Sequence, residues 1–500
     1  MSGTTGRDRP RLGAVASAHP LSTRVGQEVL RRGGNAYDAT LAVSAALTVV
    51  QPHANGLGSD FFAVIRDGGF RSINGSGWAA ASASVEFFRQ QGLAAVPSSG
   101  PLSSFTVPGL VSAWSLLAAG TSMPFHDLLA PAARLARDGF PATESLARVA
   151  AETAARADDD WRATYGAVRP GMPLRQPGLA RTLEAIGQDG GDSFYHGSIA
   201  RRIDGDMRAK GGLLRSEDLD GYRAEWTTPL HGRYRGHDVY TPPPNSQGAT
   251  ALIWLNLLDR RDLAVLPEAE YVATLVRTMP VAYRYRSRYI GDPAYLPFPP
   301  ELLDPGYPYE DAELPPGRRT VGIGDTTAFS VTDGTVDISA IQSNFHGFGS
   351  GQTVGSTGIN LNNRGSYFTL DPNHPNVLRP GKRTFHTLMA LLVDLPDRRV
   401  LLGSMGADVQ PQANVQVLTR LLDRNEPIQA AIAAPRFAYP ATIYGSADLY
   451  AEAGLALAGA RPLGEEHRSL VGHAHALVCG PTVEVGIDPR GDGGTPDAGR

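Results

Sequence analysis

At 500 residues the chain can form one large layered fold or two domains, and 42% hydrophobic against 19% charged residues excludes a disordered or charged-tail protein. Lys plus Arg number 46 and Asp plus Glu 50, a net charge of -4, so there is no basic field for a polyanion and nucleic acid is not expected as a partner. The single cysteine, Cys479, excludes an internal disulfide and a cysteine-cluster metal site, and its apolar run Ala476-Leu477-Val478-Cys479 predicts a buried structural thiol.

The first residues are polar, with no apolar segment behind their charges, so no secretory signal is read. The longest apolar stretch, around 40–50, is too short to span a bilayer. A cytoplasmic protein with no membrane partner is therefore expected. Apolar residues at Leu21, Val25, Val29 and Leu30 predict a helix over 21–32, stopped by Gly33 and Gly34. A second apolar helix is expected over 38–50 and a buried strand over 61–66. Helical patterns return near 108–119, 125–138, 144–157, 178–187 and 268–289. Residues 291–325 hold eight prolines and read as an irregular connection that runs into a strand at Gly324-Asp325-Thr326-Thr327. Strand-like segments follow at 329–331, 336–342, 386–395 and 399–402, with a helix near 412–424. Helices around partly buried strands suggest sheets packed together under helical layers.

The chain carries no Gly-x-Ser-x-Gly elbow, no His-Glu-x-x-His and no Gly-x-x-x-x-Gly-Lys-Ser/Thr. The glycines from Gly347 to Gly358 lack the lysine and the helix of a phosphate cradle. His473 and His475 would share one strand face, but no acidic or histidine partner is close in sequence, so a structural pair is favoured over a metal site. No metal and no cofactor is expected. Asp325-Thr326-Thr327 before a strand is ordinary in isolation, because threonine favours strands and turns.

The surroundings of Thr326 change that reading. Gly13-Ala14-Val15-Ala16-Ser17-Ala18-His19-Pro20, Gly33-Gly34-Asn35-Ala36-Tyr37-Asp38-Ala39 and Gln51-Pro52-His53-Ala54-Asn55-Gly56-Leu57-Gly58-Ser59-Asp60 open a collinear series. It continues with Val107-Pro108-Gly109, Thr326-Thr327-Ala328-Phe329-Ser330-Val331, Gly358-Ile359-Asn360-Leu361-Asn362-Asn363 and Ala433-Ala434-Pro435-Arg436-Phe437. In order and content the series resembles the gamma-glutamyltranspeptidase family of N-terminal nucleophile hydrolases. The resemblance implies an α+β fold, a four-layer αββα sandwich. It also implies one precursor that cuts itself between Asp325 and Thr326 into a large subunit, 1–325, and a small subunit, 326–500. The freed α-amine of Thr326, a group that ordinarily titrates at about pH 8, would then serve as general base to its own hydroxyl. By position, Asn344 matches an asparagine near the nucleophile, and Gly406 with Ala407 falls where a Gly-Gly pair gives two backbone donors to the oxyanion. Ala407 keeps its N–H but takes positive φ less cheaply than glycine.

Several pocket positions depart from the transpeptidase pattern. Ser76 stands where an arginine binds the glutamyl carboxylate, His386-Thr387 replace a Ser-Ser pair, Tyr367 replaces an aspartate, and Gln342 replaces a supporting threonine. These changes resemble the family's acylase and amidohydrolase branch, which includes relatives acting on oxamate-like amides. Arg364 is then expected to bind a substrate carboxylate through its fork, against the alternative of a surface arginine or an internal ion pair. Gln342, Tyr367, His386 and Thr387 are expected around the same small carboxylate-bearing substrate. Retained gamma-glutamyl chemistry, C–C bond hydrolysis beside an activated carbonyl, and an unprocessed binding paralogue are the alternatives.

Overall fold

Alternate residues along the strands enter different layers. In strand β2 (Asp60–Arg66), Phe61, Ala63 and Ile65 join a core shared with helices, while Phe62 joins a separate apolar group with Ala328, Ile341, Leu388 and Ala390. Strands apolar on both faces must be covered on both sides. The computed structural model describes residues 13–311, 324–439, 448–455, 457–464 and 469–493.

The other strands of the two main sheets are β1 (Ala14–Ser17), β3 (Phe70–Gly75), β4 (Glu225–Thr227), β5 (Leu230–Tyr234), β6 (His237–Thr241), β7 (Gly324–Thr332) and β8 (Asp337–His346), followed by β9 (Ala390–Asp394), β10 (Arg399–Ser404), β11 (Ala474–Cys479) and β12 (Val483–Ile487). They form two six-stranded antiparallel sheets, in the orders β1-β7-β8-β2-β3-β4 and β12-β11-β10-β9-β6-β5. Between the sheets lie Phe62, Ala328, Ile341, Leu388 and Ala390, and a second small group around Leu401, Leu477 and Cys479. Helices α1 (Pro20–Arg31), α2 (Ala36–Val50), α3 (Leu110–Ala118), α4 (Phe125–Asp138), α5 (Glu144–Thr153) and α6 (Pro177–Asp189) cover the outer face of the first sheet. Helices α7 (Gly248–Asp259), α8 (Glu268–Tyr289) and α9 (Gln410–Asp423) cover the second.

This is the four-layer αββα sandwich the resemblance implies. Cys479 is buried between the sheets, where desolvation pushes its thiol up to about 12. Both sheets mix strands from before and after residue 325: β7 and β8 sit between β1 and β2, and β6 pairs with β9. The strand expected over 386–395 begins only at Ala390, because the N–H groups of Leu388 and Met389 are taken by the His386 ring and the Gln410 side chain. Helix α7, buried on nearly all sides, shows no polar stripe and left no helical period to read. Residues 312–323, with Pro315 and Pro316 of the proline-rich connection, lie outside the described residues. Among the described residues no helix is long and apolar enough to cross a membrane.

Candidate active site

Strand β1 pairs with β7 only from Ser17 opposite Phe329 to Ala14 opposite Thr332, so the Asp325–Ala328 edge of β7 has no neighbour there. That edge borders a cavity of about 710 Å³, lined by Asp325, Thr326, His53, Arg148, His473 and Asp492 among others. Thr326 is two residues from Ala328, whose side chain lies between the sheets, and period-two alternation gives it the same face.

Opposite stands the turn between β10 and α9. Gly406 has φ 120° and Ala407 φ 49°, both in the left-handed region, before the chain enters α9. An alanine there costs about 1–2 kcal/mol of backbone strain, so its neighbours must hold it. Gln247 Nε2 donates to the Ala407 carbonyl at 2.8 Å, Tyr283 donates to the Asp408 carbonyl, and Arg286 pairs with the Asp408 carboxylate at 2.9 Å. Arg286 and Asp408 are both buried. Gln410 Oε1 accepts from the Met389 N–H at 3.1 Å, which turns its Nε2 toward Thr326 Oγ1, 3.5 Å away. Through Gln410 the start of α9 reaches the Thr326 hydroxyl.

On the other side of β7, the register with β8 shifts between Gln342 and Phe345, leaving Ser343 and Asn344 in a bulge. Bulges re-aim side chains. Ser343 Oγ donates to the Asp325 carbonyl at 2.6 Å. The Asn344 carbonyl accepts from the Asn363 N–H at 3.3 Å, and its side-chain amide, oriented to satisfy both ends, donates to the Ala54 carbonyl at 2.9 Å. Gln342 corrects an expectation. It precedes the bulge on the helix-facing side of β8, where its amide donates to Asn55 Oδ1 at 2.7 Å and to the Ser44 carbonyl at 3.1 Å. It braces α2 against the sheet and does not line the cavity.

Arg364, Tyr367, His386 and Thr387 come together as a group that packs on Ala407, and none of the four is among the residues that line the cavity. Gly58 makes this possible: any Cβ there would stand 2.2 Å from the Asn360 carbonyl, so only glycine lets the 360–364 segment lie against the loop that leads to Asp60. Arg364 Nε then donates to Asp60 Oδ2 at 3.2 Å and Nη1 to Thr387 Oγ1 at 3.2 Å. His386 Nδ1 accepts the Leu388 N–H, so the proton is on Nε2 and is donated to the same Asp60 oxygen at 3.0 Å. The guanidinium lies 4.5 Å from the Phe345 ring centroid and 5.6 Å from that of Tyr367. Tyr367 and Phe345 pack with Ala407, which joins this group to the left-handed turn. Arg364 is 1% exposed, so it is a buried ion-pair partner rather than a surface arginine, yet its Nη2 has no hydrogen-bond partner among the described residues.

Burial dominates the electrostatics. Desolvation, reinforced by the nearby Arg364 charge, lowers His386 to about 4, and desolvation with Arg156 and Arg364 lowers His346 to about 3. Both rings are neutral near pH 7. Asp325 is raised to about 7 by burial, with Arg148 working in the opposite direction. Among the described residues no group of three or more His, Cys, Asp or Glu side chains is arranged to hold a metal. His473 and His475 both border the cavity.

Sequence reading missed Asp60, Ser343 and Gln410. Asp60 closes a glycine-rich block and Ser343 directly precedes Asn344, so both were in view, but only the bulge and the Gly58 crossing reveal what they touch.

A family model described as gamma-glutamyltranspeptidase matches residues 22–496. The "Glutathione hydrolase-like YwrD proenzyme" of Bacillus subtilis is 38% identical over 450 residues, covering 86% of this chain and 85% of that protein. The "Oxamate amidohydrolase proenzyme" of Klebsiella pneumoniae is 36% identical over 516 residues, covering 96% and 97%. The crystal structure of a cephalosporin acylase from Bacillus halodurans superposes with a TM-score of 0.88 at 33% identity, covering 99% of this chain and 98% of that one.

Proposed function

Because the chain belongs to the gamma-glutamyltranspeptidase family, we propose that it is an amide hydrolase of that family, made as one precursor and cut between Asp325 and Thr326. Residues 1–325 and 326–500 would then be its large and small subunits. The relatives named as proenzymes, an amidohydrolase and an acylase support this activity class over the C–C hydrolase and binding-paralogue alternatives. The observation that carries the reading is that Thr326, on the edge of β7 that borders the cavity, has its hydroxyl 3.5 Å from Gln410 Nε2 at the start of α9, directly after the left-handed Gly406–Ala407 turn.

Once cut, the Thr326 α-amine takes the proton of its own hydroxyl as Oγ1 attacks the substrate carbonyl. The Gly406 and Ala407 amides receive the negative charge, and Asn344 fixes the bulge that faces them. The amine of the substrate leaves with the proton, and water repeats the sequence on the acyl-enzyme. The substrate is a small amide with a carboxylate: Arg364 Nη2 is a buried cationic donor still lacking an acceptor, and Tyr367, His386 and Thr387 fix the fork that presents it. Purified protein screened against small carboxylate-bearing amides, oxamate among them, should release amine or ammonia, and Thr326→Ala should release none. Equal turnover by Thr326→Ala contradicts the threonine mechanism.

A further inference from the structure

The Asp325 carbonyl, the bond that self-cleavage must attack, already has a dedicated donor. Ser343 Oγ lies 2.6 Å from its oxygen, is buried, and accepts the Phe345 N–H at 2.8 Å. With a lone pair engaged by that N–H, the hydroxyl proton is directed at the carbonyl. Phe345, whose N–H is held by Ser343, sits at φ 86°, a left-handed backbone rare outside glycine. The strain is held from outside: the Phe345 ring stacks on His346 at 3.9 Å, leans on Tyr367 at 4.3 Å and lies under the Arg364 guanidinium. The Gly406–Ala407 turn stands on a different strand connection, so two donor sets flank Thr326.

We propose that Ser343 is the oxyanion donor of self-cleavage, separate from the Gly406–Ala407 amides assigned to substrate turnover. This rests on the reading of Thr326 as the processing nucleophile. Thr326 Oγ1 loses its proton and bonds to the Asp325 carbonyl carbon, and the former carbonyl oxygen takes the negative charge under the Ser343 hydroxyl. The C–N bond then breaks and the nitrogen receives the proton, giving an ester and a free amine. Water hydrolyses the ester, leaving the Asp325 carboxylate and regenerating the Thr326 hydroxyl. No other reactant is needed. Substrate hydrolysis by the finished enzyme does not use the Asp325 carbonyl, so Ser343 serves maturation.

The test follows cutting by intact mass in quenched time courses of wild type, Ser343→Ala, Ser343→Cys and Ser343→Thr, with circular dichroism reporting the fold. Folded Ala and Cys variants are expected to cut on the order of 10²–10³-fold more slowly, the loss expected for one oxyanion donor. Thr, which keeps a hydroxyl, should cut faster than both. A folded Ala or Cys variant that cuts at the wild-type rate overturns the proposal, as does a folded Thr variant no faster than either. The thiol fills the hydroxyl's space, so the Cys variant decides the matter if Ala fails to fold. A wild-type chain that is never broken before Thr326 sinks the nucleophile reading instead.

Discussion

Asp60 and Arg364 form an ion pair closed to solvent: Nε and Oδ2 are 3.2 Å apart, and the side chains are 0% and 1% exposed. Each charge is tolerable only beside the other, because neither has water to solvate it. Asp60→Asn should therefore cost about 3–5 kcal/mol of stability by leaving the guanidinium uncompensated. Urea unfolding measures it, and a loss well under 1 kcal/mol would mean that the pair is hydrated.

The same guanidinium has one donor to spare. Arg364→Lys keeps the charge but loses the fork, and about 1.5–3 kcal/mol of charged hydrogen bonding goes with it. We expect KM for a carboxylate-bearing amide to rise on the order of tenfold or more, while the uncharged methyl ester of that amide is turned over as before. Equal effects on acid and ester would place Arg364 outside substrate recognition.

Much of this arrangement was legible in the sequence, and some was not. Collinear blocks from Gly13 to Phe437 pointed to the layered sandwich, and the helices near 21–32, 125–138 and 268–289 follow their apolar spacing closely. The resemblance to the family's pocket positions identified Arg364, Tyr367, His386 and Thr387 as a group. What they bind to was hidden, since Asp60 lies some three hundred residues away and meets Arg364 only through the Gly58 crossing. Gln342 was misplaced for a local reason: strand alternation puts it on the face opposite Ile341, toward α2.

Ala407 is held at φ 49° by its surroundings. Ala407→Gly removes about 1–2 kcal/mol of strain but adds about 0.5–1 kcal/mol of unfolded-state entropy. A small gain in melting temperature with turnover retained is expected from thermal unfolding and initial rates. A clear loss of stability would show that the methyl group packs more than it strains.

Acid should destabilise the fold through its buried imidazoles. Burial lowers His346 to about 3 and His19, His53, His386 and His475 to about 4, so between pH 6.5 and 4 the unfolded chain protonates five imidazoles that the folded chain keeps neutral. Asp325, raised to about 7, has the opposite sign: folded protein holds its proton from pH 7 down to 3.8, and unfolded protein does not. The imidazoles outnumber it, so stability is lost as pH falls through this window. Denaturation of Thr326→Ala, which keeps the Asp325–Thr326 bond, measures it. Stability that is flat from pH 6.5 to 4 would contradict these burial effects.

Everything proposed for catalysis depends on a free Thr326 amine, and the mass of the purified protein under denaturing conditions tests that directly. Two species with a break between Asp325 and Thr326 are expected. One intact species of 53.1 kDa, persisting after long incubation, would show that the nucleophile is never released and would contradict the hydrolase mechanism.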